Sequence, residues 1–151
     1  MQKIRHRLFH LWFLISRPMT LGVRVIVCTK ENEVLLVRHT YVSGWHLPGG
    51  GVERGETTCD AAIKELIQET NVQVIGDLKL LSMHANWKAS KRDHVAVYKC
   101  EEWEVTKPFT PNREIAEIGF FPLNALPEDT TTGTRARLDE LSGKAPHSPY
   151  W

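Results

Sequence analysis

The chain reads as a mixed-sheet α/β domain, and three observations predict it. Short segments rich in β-branched and aromatic residues outnumber helical ones. One strongly amphipathic helix sits among them, at Thr57–Thr70. There is no internal repeat, low-complexity block or long linker, and 151 residues suffice for a single core.

The elements follow in order. Ile4, Leu8, Leu11, Trp12 and Ile15 share a helical stripe, widened by Phe9 and Phe13, so residues 3–16 are read as an amphipathic aromatic helix. Thr20 to Cys28 alternates around Val23, Val25 and Val27 and predicts a strand. Glu31-Asn32 turns it into a hairpin partner at Val34–Arg38. Residues 39–55 form a glycine-rich loop. Thr57 caps the helix that follows, with Asp60 three residues on, and Asn71 ends it because asparagine tolerates the left-handed conformation. Strands are expected at Val72–Ile75, Leu78–Met83, His94–Cys100 and Ile115–Phe121. Pro122 opens a short helical turn, and Arg135–Leu141 forms a last helix. The resulting division is residues 1–18 as N-terminal helix, 19–142 as the domain and 143–151 as a tail.

Charge narrows the partners. The chain has 19 Lys and Arg against 18 Asp and Glu. Residues 1–20 hold Lys3, Arg5, Arg7 and Arg17 and no acid, leaving a body with 15 basic and 18 acidic residues, a net −3. Such a body argues against extended nucleic-acid binding but not against one nucleotide in a cleft. Cys28, Cys59 and Cys100 are scattered and odd in number, matching neither a disulfide framework nor a zinc spacing, as in a cytoplasmic protein. The apolar patch Leu8–Ile15 is too short to span a bilayer. It suits packing on the domain or on a second subunit, with a membrane surface as the rival partner.

The chemistry concentrates where Leu47-Pro48-Gly49-Gly50-Gly51 runs towards the helix of Glu65, Gln68 and Glu69. Gly50 and Gly51 let the backbone approach a substrate phosphate. On a wheel of about 100° per residue, Cys59, Ala62, Ile63, Leu66 and Thr70 face the sheet, while Glu65 and Glu69 lie one turn apart on another side. Two carboxylates so placed can hold Mg²⁺, whose shell phosphate oxygens complete.

With these residues in view, the chain resembles the Nudix hydrolases. Gly50 and Glu56 match the start of the family box, Lys64-Glu65 its Arg-Glu pair, Leu66 its aliphatic position, Gln68-Glu69 its Glu-Glu pair, and Asn71-Val72 its close. The flanking Trp45-His46-Leu47-Pro48-Gly49 and Phe120-Phe121-Pro122-Leu123 also look familiar, so the likeness covers about residues 20–127. It implies a single-domain α/β/α sandwich with a mixed sheet, and Mg²⁺-dependent cleavage of a nucleoside diphosphate linked to another moiety, with Mn²⁺ as the alternative ion. By position, Glu69 would be a principal metal ligand, with the Gly49 carbonyl another. Glu65 would bind metal or help activate water, and Glu56 would orient Lys64 or reach metal through water. Glu114 is the chosen ligand from outside the box, with Glu117 its competitor.

Three departures stand out. Lys64 lacks the planar fork of arginine. Asn71 replaces glycine. Gln68 keeps an oxygen but brings no charge and cannot act as a base. Substrate contacts are expected from Arg38 with His39 and Tyr41, from Trp45 by stacking if it does not instead pack the loop against the sheet, and from Trp87 with Lys88, Lys91 and Arg92, whose alternative is a solvated loop. His147, Tyr150 and Trp151 of the tail could cover the site or a neighbouring subunit. The leading reading is a pyrophosphohydrolase acting on a nucleotide sugar, dinucleotide or nucleoside triphosphate. The alternatives are a weakly active or inactive nucleotide-binding sensor and an RNA 5′-end pyrophosphohydrolase.

Overall fold

The computed structural model describes residues 9, 10 and 12–151. Within them β1 (Thr20–Val27), β2 (Glu33–His39) and β3 (Trp45–His46) precede α1 (Thr58–Thr70). Then come β4 (Val72–Val74), β5 (Lys79–Ala85), β6 (Asp93–Cys100), β7 (Trp103–Val105), β8 (Ile115–Pro122) and α2 (Thr132–Leu141). β6 lies between β1, to which it is parallel, and antiparallel β5. β2 lies between β3 and β8, antiparallel to both. β4 and β7 make a small antiparallel pair.

The alternation along β1 creates the layers. Val23, Val25 and Val27 are buried in one cluster with Ala61, Ala62 and Leu66 of α1 and Ala96 and Tyr98 of β6. Ile26 points to the other face, where Val97, Trp45, Leu47 and Leu138 of α2 bury it. Strands thus lie between helices on both faces, an α/β/α sandwich with a mixed sheet.

The expected β1–β2 hairpin survives only at its base. Cys28 bridges Val34, and Asn32 (φ 60°) makes the turn, with the Thr29 hydroxyl accepting the Glu31 and Glu33 N–H groups. Beyond that the strands part, because the free edge of β1 is taken by the glycine loop. Val23 and Val25 donate to the Gly50 and Pro48 carbonyls, and Val52 donates to Leu21. This zipper fixes the loop against β1 and so positions the site.

Both ends of α1 match the sequence signals. The Thr57 hydroxyl accepts the Asp60 N–H at 3.1 Å, and Asn71 adopts φ 59° and donates to Ile67. β3 and β7, two and three residues long, were not expected, and α2 begins three residues before Arg135. Pro122–Ala125 closes as a hydrogen-bonded turn rather than a helical one. The N-terminal helix expected at residues 3–16 lies partly outside the described residues, which exclude 1–8 and 11; residues 9, 10 and 12–16 are helical. No helix among the described residues is long and apolar enough to cross a membrane.

Candidate active site

Glu69 is the centre of the site. Although charged in type, it is only 6% exposed. Its Oε2 accepts the Gly49 N–H at 2.8 Å, so the glycine loop and α1 are joined through a carboxylate. Gly49 sits at φ 144°, and a β-carbon there would run into the Val23 carbonyl oxygen. Only glycine lets the loop press on β1 while turning its N–H towards α1.

One turn earlier, Glu65 lies against Gly50. A β-carbon on Gly50 would stand 2.6 Å from the Glu65 carboxyl carbon. Glu65 also receives Lys64 Nζ at 3.7 Å. The same ammonium bonds Glu56 at 2.9 Å and reaches Glu53 at 3.7 Å. Glu56 in turn accepts the Glu53 N–H at 3.0 Å. That backbone bond, followed by the bond from Lys64, holds the Glu56 carboxyl below its ordinary range. Lysine here supplies one ammonium to three carboxylates, where a guanidinium would pair one of them in a rigid fork.

Crowding of acids shows in their titration. Burial pushes Glu69 up to about 7, against the Gly49 hydrogen bond and Arg24, while Glu65 and Glu114 add repulsion. Glu65 is raised as well, again chiefly by burial, with Glu56 and Glu114 adding to it. Glu114 thus bears electrostatically on both box glutamates. Glu117 instead faces Arg38 across the β2–β8 ladder and pairs with it at 3.8 Å. Of the two outside glutamates, Glu114 is the one whose charge raises both box glutamates.

Arg24 and His39 complete the surroundings. Arg24 Nη1 donates to the Gly49 carbonyl at 2.7 Å and to the Leu47 carbonyl at 3.0 Å. Sequence reasoning passed over Arg24; the signal was a cation flanked by the buried valines of a central strand. His39 is buried, and its Nε2 lies 3.8 Å from Glu69 Oε1. Burial, then His46 and Arg24, depress the imidazole to about 4. Its Nδ1 is buried without a hydrogen-bond partner. His39 also lines an open groove of about 400 Å³ with Arg38, Tyr41, Ser43, Gly44 and Asp129.

A divalent cation fits this donor set. Burial raises the pKa of two neighbouring carboxylates, Glu65 and Glu69, and Glu114 adds repulsion, against which Arg24 and Lys64 supply positive charge. Hard oxygen donors suit Mg²⁺ or Mn²⁺.

Other expected contacts fall elsewhere. Trp45 is 3% exposed, packed on Phe121 with ring centroids 4.8 Å apart and covered by the Arg38 guanidinium, so it has no free face for a base. Arg38 is half-exposed and already paired with Asp129 at 3.3 Å. Gln68 is exposed, unlike its neighbour Glu69. Trp87 packs against Tyr150, ring centroids 4.6 Å apart and tilted by 59°, beyond β5. Arg92 is an exposed loop residue whose carbonyl accepts the Thr20 N–H. Gly51, exposed and bridged to Gly22, has open space where a side chain would be. The tail does not cover the glutamates: it lies along β5, with Ala85 donating to Pro149 and Trp151 donating to Ala85.

Comparison with known proteins agrees with this geometry. The family model of the NUDIX domain matches residues 18–141. The chain belongs to the NUDIX domain family. A Bacillus subtilis (strain 168) protein, named provisionally as an 8-oxo-dGTP diphosphatase, is 43% identical over 51 residues, 34% of either chain. An RNA pyrophosphohydrolase of Edwardsiella ictaluri (strain 93-146) is 32% identical over 66 residues, 44% of this chain and 37% of that protein. The chain thus spans only about a third of the length of these curated relatives (34% and 37%). The solved MutT NUDIX hydrolase of Burkholderia pseudomallei superposes with a TM-score of 0.69 at 22% identity, covering 81% of this chain and 97% of that one. An ADP-ribose pyrophosphatase from Streptococcus suis gives 0.61 at 24% identity, over 85% and 94%. At these identities the structures establish the fold that this NUDIX chain shares.

Proposed function

We propose that this NUDIX protein is a divalent-metal-dependent hydrolase that cleaves a pyrophosphate bond in a nucleotide derivative. One observation carries the reading: buried Glu69 and half-buried Glu65, a helical turn apart, both meet the Gly49-Gly50 backbone. Glu65, Glu69 and Glu114 would hold Mg²⁺ or Mn²⁺, with the Gly49 carbonyl as a further oxygen. The ion, when bound, supplies charge neutralisation for the pyrophosphate and lowers the pKa of water. The chain's own part is positional. Lys64 and Glu56 brace Glu65, the Gly49 N–H braces Glu69, and Glu65, or water organised by Glu65 and Glu69, would accept the proton from attacking water. The groove walled by Arg38, His39 and Tyr41 is the substrate entrance in this reading.

The test is a panel of nucleotide sugars, dinucleotides, nucleoside triphosphates and a 5′-triphosphate oligonucleotide, with Mg²⁺ and then Mn²⁺, products identified by mass. The reading expects two phosphorylated products from one class and loss of turnover in Glu69→Gln. Names of relatives support the nucleotide classes, since they include an RNA pyrophosphohydrolase and an ADP-ribose pyrophosphatase.

A second reading rests on Arg24. Its guanidinium occupies the Gly49 carbonyl expected to face metal, and Gln68 lies exposed. Both features suit a protein that binds a nucleotide without cleaving it. Tight binding with no turnover on any class of the panel would select this reading.

The N-terminal segment is assigned to self-association. Phe9, Trp12, Leu14 and Ile15 are all exposed on one short helical segment, an apolar surface of the kind that marks an interaction site. Light scattering of Trp12→Glu beside the wild type tests it: a dimer that becomes a monomer supports the assignment, and an unchanged mass removes it. Vesicle co-sedimentation distinguishes the membrane alternative.

A further inference from the structure

A second cluster of ligating side chains lies under α2, separate from the glutamates of α1. His84 on β5, Glu140 on α2 and His147 on the tail each offer one ligand atom, and the three atoms lie within 4.8 Å of one another. Three segments of the chain therefore converge at one point. The rings of His84 and His147 stand 5.0 Å apart at 54°.

Hydrogen bonds around the cluster decide what each group can still do. His84 is wholly buried, and its Nδ1 lies 2.7 Å from the Ser148 carbonyl. A carbonyl only accepts, so Nδ1 carries the proton and Nε2 keeps its lone pair, now turned to the Ser82 hydroxyl at 2.7 Å. An imidazole whose other nitrogen donates to a backbone carbonyl is the usual state of a metal-ligating histidine. Glu140 Oε1 is occupied by Arg137 Nη2 at 2.7 Å and by the Ser148 N–H at 2.9 Å. Its Oε2 is turned to His147 Nδ1, 3.7 Å away. A cavity of about 330 Å³ borders Ser82, Arg137, Glu140 and His147, beside two of the three ligating residues.

We propose that His84, Glu140 and His147 form a site for a zinc-like divalent cation that ties the C-terminal tail to β5 and α2. Two imidazoles and one carboxylate, with water as fourth ligand, are the donors of a tetrahedral zinc centre. They discriminate against Mg²⁺, which takes oxygen ligands. Bonds of about 2.1 Å in a tetrahedron bring ligand atoms to roughly 3.4 Å from one another. The present spacing must therefore contract, and His147, the exposed member on the tail, is the one free to rotate inwards. Arg137 opposes the incoming charge. It stays on Oε1, so the ion must be held by imidazole bonding more than by net charge, which further favours zinc over a hard cation.

The consequence is a fastened tail. Its backbone already extends the edge of β5 through Ala85, Pro149 and Trp151, and Tyr150 supports Trp87 of the β5–β6 loop. A bound ion would add a fixed point just before these contacts.

The experiment titrates Zn²⁺ by calorimetry into wild type, His147→Ala, Glu140→Gln and Glu69→Gln, all with excess Mg²⁺, and repeats the titration with Co²⁺ to read the visible bands of tetrahedral coordination. One zinc equivalent is expected in wild type and Glu69→Gln, lost or weakened at least tenfold in the other two. Zinc should raise the melting temperature of wild type but not of His147→Ala, whose metal-free melting temperature matches wild type. Equal zinc binding by wild type and His147→Ala overturns the site, as does no binding to wild type. Zinc lost in Glu69→Gln but kept in His147→Ala would place the ion among the glutamates and overturn it too. None of these outcomes depends on hydrolysis.

Discussion

No β-carbon fits between Gly50 and Glu65: it would come within 2.6 Å of the carboxyl carbon and 2.7 Å of Oε2. The missing side chain is thus the space that Glu65 occupies. Gly50→Ala should drive the carboxylate out while leaving Gly50's carbonyl on Val23. A displacement of about 1 Å at a reacting group costs on the order of 100-fold in rate. The expected result is such a loss of kcat with a melting temperature close to wild type. Activity within a few-fold of wild type would show that Glu65 can act from elsewhere.

Gly49→Ala should behave differently, because it disturbs the fold as well as the site. Its positive φ is costly for alanine, and the added carbon meets the backbone of β1 rather than a movable side chain. A loss of at least about 2 kcal/mol is expected, which for a domain of this size lowers the melting temperature by roughly 4–8 °C. Calorimetry of the two alanine variants side by side checks the contrast.

Glu69 makes stability depend on pH and on metal. Its folded pKa, about 7, lies above its ordinary 4.5, so the folded state binds the proton more tightly than the unfolded chain. The stabilisation is fully present below pH 4.5 and is lost as pH rises through 7. It amounts to roughly 3 kcal/mol at about 1.4 kcal/mol per pKa unit. His39 acts oppositely: its folded value of about 4 lies below the ordinary 6.5, so it costs stability as pH falls from 6.5 towards 4. Comparison with Glu69→Gln isolates the glutamate. In chelator, wild type should lose stability relative to the variant between pH 4.5 and 7, and Mg²⁺ should restore it in wild type alone. Parallel urea-unfolding curves across this range would contradict the assignment.

The local parts of this arrangement were legible in the sequence. Thr57, Asp60 and Asn71 announce the ends of α1, and alternating valines announce β1, because capping and strand burial are written within a few residues. The positions of Glu65 and Glu69 on one edge follow from helical spacing. Long-range pairing was not legible. Nothing in residues 20–38 tells that β1 leaves its hairpin partner to lie between β6 and the glycine loop. For the same reason Arg24 was passed over, since its meeting with Gly49 needs that zipper. Trp45 supports two readings in sequence, because an aromatic beside a glycine loop has the same composition whether it faces a ligand or, as here, Phe121 and the core. The tail lacks periodicity because it forms a single bridge at Ala85 rather than a full strand.

Gln68 provides the remaining test of how far the box reaches. Its side chain is exposed, whereas Glu69, its neighbour in sequence, is buried beneath the glycine loop. A carboxylate at 68 would therefore act on an ion largely through water, where a unit charge and a divalent ion about 6 Å apart attract by about 1.4 kcal/mol, a factor of roughly ten. Gln68→Glu is expected to tighten Mg²⁺ binding by no more than about tenfold, with a larger effect at low salt than at high. Glu69→Gln should abolish the same binding. Calorimetric Mg²⁺ titrations of both variants at two salt concentrations decide it. A salt-independent gain well beyond tenfold would place residue 68 directly on the metal and make its present amide the factor limiting catalysis.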